Sequence, residues 1–99
     1  MNKDNFDCIN LTQSLVKCPS ITPYDAGALQ VVEDYLKKLE FNCTRLPFKE
    51  KNYDDVDNLF ATIGNSGKHL AFAGHTDVVP VGNEKSWKYP PFSATIADG

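Results

Sequence analysis

The stretch AFAGHTDVVP, Ala71 to Pro80, ends an apolar run on a histidine and, two residues later, an aspartate. Read with the preceding Lys68, His69 and Leu70, it predicts a strand over Lys68 to Ala73, apolar enough to be buried on both faces as strands inside an α/β sheet are. On an extended backbone, residues two apart point to the same side with Cα atoms about 6.6 Å apart, so His75 and Asp77 project together and can touch. A histidine that holds a metal through one ring nitrogen commonly donates from the other to a carboxylate. Gly74 permits close backbone approach just before the pair, and the end of a buried strand is where open α/β sheets place ligands. The same spacing also suits a partly buried histidine satisfied by an aspartate in a turn. Spacing alone leaves both readings open.

Working outward, two further strands are predicted at Phe41 to Leu46 and Asn58 to Ile63, separated by the polar segment KEKNYDDVD. The short GNSG turn between the second and third strands predicts that those two pair antiparallel. FDCINLTQSLV, residues 6 to 16, puts Cys8, Leu11 and Leu15 on one helical face with Phe6, Ile9 and Val16 beside them. This helix stops before Pro19, because a residue preceding proline is pushed out of the helical region. TPYD then reads as a helix start, with Thr22 as cap, Pro23 at the first helical position and Asp25 three residues after the cap. From Asp25 to Glu40, Ala28, Val31, Val32, Tyr35, Leu36 and Leu39 form an apolar stripe, with Glu33 and Asp34 four residues before Lys37 and Lys38 on the wet side. Two helices and three strands imply an α/β layer arrangement. At the carboxyl end, Phe92 to Ala97 reads as a short strand running into Asp98-Gly99, a hairpin-turn dipeptide, which implies that the chain belongs to a larger fold.

Length and composition narrow the function classes. The 99 residues are 41% apolar and 23% charged, the profile of one globular unit. A net charge of −3 without a basic stripe gives no electrostatic draw toward nucleic acid or an anionic membrane. The apolar runs fall far short of the roughly 20 residues a bilayer span needs, and MNKDNFDCIN lacks a signal peptide's layout, so the expected compartment is the cytoplasm. Cys8, Cys18 and Cys43 are odd in number and form no CxxC pair, which points to buried thiols.

Other metal or nucleophile schemes find less support. His69 lies six residues before His75, about 20 Å away along a straight strand, too far to share one ion. None of the cysteines carries a local activating signature. Asp54, Asp55 and Asp57 lack the glycine and distal glutamate of an EF-hand loop and read as a solvated loop. A catalytic zinc needs three protein ligands and an open position, so His75 is at most one of a set.

HLAFAGHTDVVPVG, the tryptophan of EKSWKYPPF and then SATIADG, in that order, resemble the start of the catalytic domain in the M20 family of zinc-dependent peptidases and deacylases. PSITPYDAG near the first helix and the pattern W-x-x-x-P-F extend the likeness over nearly the whole chain. The resemblance implies the amino-terminal portion, residues 1 to 99, of a zinc-peptidase-like (phosphorylase/hydrolase-like) α/β domain with a mixed sheet flanked by helices. It implies that His75 binds one of two zinc ions, for which cobalt can substitute, and that Asp77 supports it as a catalytic residue. It implies amide hydrolysis of a small-molecule substrate in a homodimeric parent enzyme. The metal-bridging aspartate, the paired glutamates, the later acidic ligand, the distal histidine and the dimerisation domain would then lie outside these residues, leaving the 99-residue chain inactive alone. The competing reading is a catalytically silent α/β module that binds a partner through an open sheet edge.

Overall fold

The structure is a computed structural model that describes residues 7 to 99. Phe6, expected beside the apolar face of the first helix, lies outside them. The element order among the described residues is α1 (Cys8–Val16), α2 (Ala28–Lys38), β1 (Asn42–Arg45), β2 (Leu59–Thr62) and a 3-10 turn, Glu84–Ser86. This is a small α/β fold of two helices and one two-stranded sheet.

Helix α1 begins where Asp7 turns its carboxylate back onto the free amides of Ile9 (2.9 Å) and Asn10 (3.3 Å). Helix α2 starts later than TPYD predicts. Ala26 (φ 52°) and Gly27 (φ 86°) are both left-handed, so no helical turn can include them. Gly27, not Thr22, is then the cap position, and the Asp25 carboxylate two residues before it accepts from the amides of Gly27 and Leu29, each at 3.1 Å. At its far end, α2 closes with Phe41 N–H donating to Leu36 O and Glu40 N–H to Lys37 O, both at 3.0 Å. This is a Schellman closure, with Glu40 forced to φ 68° at the position glycine prefers.

The hairpin departs from the expected pairing. Strand β2 pairs antiparallel with β1 in the register Asn42↔Thr62, Cys43↔Ala61, Thr44↔Phe60 and Arg45↔Leu59. The ladder continues through Leu46 N–H to Asn58 O and the Phe48↔Val56 bridge. Residues 68 to 73 form no strand, and Leu70 and Phe72 stand 83% and 92% exposed. The reason is a lack of cover among the described residues. A two-faced apolar strand needs cover on both sides, whereas α2 covers only the hairpin face carrying Cys43, Arg45, Leu59 and Ala61. Residues 92 to 97 are not a strand either. A turn sets Ser93 N–H on Pro90 O at 3.0 Å, and Ala94 at φ 52° ends any extended run.

Glu33, expected on the wet face, is buried between α2 and β1. Its carboxylate accepts from Lys37 Nζ and Arg45 Nε, each at 3.0 Å, and Arg45 also reaches Asp57 at 2.6 Å and Gln30 at 3.1 Å. The periodicity could not show this, because Arg45 comes from another element. Asp34 pairs with Gln30 (2.8 Å) instead of Lys38, whose ammonium sits over the Tyr35 ring. The thiols are free, and Cys8 is exposed instead of buried.

Burial is sparse throughout. Among the described residues only Ala28, Ser20 and Glu33 are buried, while Phe60, Ile63, Val79 and Ile96 join Leu70 and Phe72 at the surface. The accessible surface is 8341 Å², about one and a half times the roughly 5,600 Å² that a compact monomer of this mass exposes.

Candidate functional site

Backbone hydrogen bonds stitch the turn after Pro19 to the segment carrying the His-x-Asp pair. Val78 N–H donates to Ser20 O at 2.9 Å and Thr22 N–H to Val78 O at 3.1 Å, an isolated parallel bridge between Ile21 and Val78. The buried Ser20 hydroxyl adds a third tie, donating to Thr76 O at 2.8 Å. These ties flank Asp77 on both sides and fix the backbone from which it projects.

His75 and Asp77 do meet. His75 Nδ1 lies 2.9 Å from Asp77 Oδ1 and 3.0 Å from Asp77 O. Both neighbours are acceptors, so the neutral ring carries its proton on Nδ1, and Nε2 keeps its lone pair. The histidine side chain is 81% exposed and the aspartate 50%, so the pair opens outward and is not a satisfied interior contact. Asp77 Oδ2 accepts from the Thr22 hydroxyl at 2.5 Å. The Thr22 hydroxyl first, and then the His75 imidazole, hold the Asp77 carboxyl below its usual range. Asp77 is therefore a carboxylate at neutral pH.

A cleft of about 400 Å³ opens beside the pair, walled mainly by Leu15, Val78, Pro80, Trp87 and Phe92. The Trp87 indole N–H donates to Val81 O at 3.0 Å, which fixes the ring at the cleft wall. The lining is largely apolar, with Ser20, His75 and Thr76 as polar members.

His69 is exposed, and Asp55 and Asp57 are engaged with Lys49 and Arg45, respectively. Among the described residues, no three His, Cys, Asp or Glu side chains converge to hold a metal ion. One imidazole nitrogen, backed by a carboxylate, fits one corner of a metal site and no more. Among the same residues, no helix is long and apolar enough to cross a membrane.

Thr22 and Ser20 escaped the sequence reading. Thr22 looked like a helix cap and Ser20 carried no signal; both act across a separation of more than fifty residues. PSITP marked the segment without revealing what it touches.

Comparison with known proteins bears on this geometry. Over 93 residues, 94% of the chain, it is 52% identical to a succinyl-diaminopimelate desuccinylase of Bradyrhizobium sp. (strain ORS 278). It is 50% identical over the same length to the enzymes of that name from Bradyrhizobium sp. (strain BTAi1 / ATCC BAA-1182) and Rhodospirillum centenum. The chain is a relative of the succinyl-diaminopimelate desuccinylases. It spans 24% of the length of these curated relatives. No family model matches it.

Proposed function

We propose that these residues serve as one part of a zinc-dependent amidohydrolase that cleaves N-succinyl-LL-2,6-diaminopimelate with water into succinate and LL-2,6-diaminopimelate, a step toward lysine and peptidoglycan. The identity of 50–52% with desuccinylases over nearly the whole chain carries the proposal. In this reading the described α/β unit is the amino-terminal portion of a zinc-peptidase-like domain, and residues 68 to 73 complete a mixed sheet once further layers cover them. The surface excess supports that placement, because an area of this size resembles a domain core left uncovered.

His75 Nε2 supplies one ligand to one of two zinc ions, and Asp77 holds the ring with that nitrogen outward. Zinc, when bound, lowers the pKa of water toward about 7 and polarises an amide carbonyl. The proton acceptor and the remaining ligands come from polypeptide outside these residues, and the parent enzyme is a cytoplasmic homodimer. The 99 residues alone are inactive.

The test is hydrolysis by a desuccinylase-length polypeptide containing these residues, measured with added zinc or cobalt and after chelation. Succinate release from N-succinyl-LL-2,6-diaminopimelate that needs the metal supports the proposal. Faster turnover of N-acetylornithine would move the chain to the acetylornithine deacetylases. Turnover of neither substrate would favour a silent binding module, for which the exposed apolar surface speaks.

A further inference from the structure

The Asp77 carboxylate has a separate donor on each oxygen: His75 Nδ1 on Oδ1 at 2.9 Å and Thr22 Oγ1 on Oδ2 at 2.5 Å. Rotating the carboxylate away from either donor breaks both bonds, so two donors lock one torsion. Thr22 is itself anchored, since its N–H donates to Val78 O on the far side of Asp77. Its hydroxyl has a second acceptor in Val78 O, but at 3.4 Å that contact is the weaker.

We propose that Thr22 is a positioning residue for a divalent-cation ligand: by holding Asp77 Oδ2 it leaves Oδ1 to His75 Nδ1, keeping the imidazole in the Nδ1–H tautomer with Nε2 free for the metal. The proposal rests on the functional reading above for the identity of the ligand, but the hydrogen-bond chain stands without it. The turn after Pro19 then belongs to the site, although no side chain in it need touch metal or substrate. Thr22→Val keeps the shape and removes the hydroxyl; Thr22→Ser keeps the hydroxyl and removes the methyl.

Two measurements test this. In the 99-residue chain, the nitrogen-15 shifts of the His75 ring, taken where the imidazole is neutral, report the tautomer. The Nδ1–H form should dominate in the native chain and in Thr22→Ser, and give way in part toward Nε2–H in Thr22→Val, where Asp77 O at 3.0 Å remains as the second acceptor. An unchanged tautomer in Thr22→Val overturns the proposal. So does an equal shift in Ser20→Ala, which loosens the same turn without touching Asp77. In a desuccinylase-length polypeptide, Thr22→Val should weaken zinc binding about 3- to 10-fold and Thr22→Ser less than about 2-fold, a smaller effect than the 10- to 100-fold in affinity or activity that losing a ligand's direct partner costs. Equal zinc affinity for Thr22→Val and the native sequence overturns the proposal. If the native polypeptide holds no zinc through His75, the functional reading fails, and the tautomer measurement still decides the role of Thr22.

Discussion

Phe72→Ala separates the behaviour of the 99-residue chain from that of a longer polypeptide containing it. The Phe72 side chain is 92% exposed, and full burial of a phenylalanine stabilises by about 1.5–3 kcal/mol, so removing the little burial it has should cost only about 0.2 kcal/mol here. In a polypeptide whose further layers cover residues 68 to 73, the same substitution opens a core cavity and should cost about 3–5 kcal/mol. The contrast between contexts is thus more than tenfold in free energy. Urea denaturation, followed by the helical signal of α1 and α2, would measure both. Leu70→Ala, at a position 83% exposed, should follow the same pattern. A loss above about 1 kcal/mol in the 99-residue chain, several times the exposure-scaled value, would show that Phe72 is already packed. A loss below about 1 kcal/mol in the longer polypeptide would show that the segment is not interior, and the reasoning from surface excess would fail.

Other outcomes follow from single interactions. Ser20→Ala removes the donor from Thr76 O and should destabilise by about 1–2 kcal/mol in urea, with the Ile21–Val78 bridge kept by its two backbone bonds. Glu40→Gly relieves a left-handed non-glycine residue at the end of α2; after glycine's own entropy cost, the thermal midpoint should rise by the equivalent of about 0.5–1 kcal/mol, and a fall would count against strain there. Lys37 first, and Arg45 with it, hold the Glu33 carboxyl below its usual 4.5, so its stabilising effect is complete above that value and lost as pH falls through the lower folded-state one. The urea midpoint should accordingly drop in acid, and Glu33→Gln should flatten that limb; an unchanged acid limb refutes the assignment. In the desuccinylase-length polypeptide, His75→Ala should abolish stoichiometric zinc at one site, whereas Asp77→Asn should retain zinc more than activity, losing about 10- to 100-fold in turnover. Unchanged zinc content and turnover in His75→Ala would remove it from the ligand set.

How much the sequence determined follows from the range of each interaction. Periodicity placed α1, α2 and both strands of the hairpin within a few residues, because an amphipathic stripe and a short alternating run depend on neighbours along the chain. The two-residue spacing was enough to bring His75 against Asp77, for the same local reason. Which strand β2 would join was decided in three dimensions: α2 covers one face of β1 and β2, and no layer of the described residues covers 68 to 73. Glu33 shows the same limit, since its place on the helix said solvent and an arginine from β1 drew it inward. Thr22 meets Asp77 across fifty-five positions, and no local pattern encodes a hydroxyl's partner at that distance. Short-range periodicity therefore determined the two helices, the two paired strands and the His-x-Asp pair, but not the absence of strands at 68 to 73 and 92 to 97; which long-range hydrogen bonds hold that pair in place was decided only when the turn after Pro19 folded against residues 76 to 78.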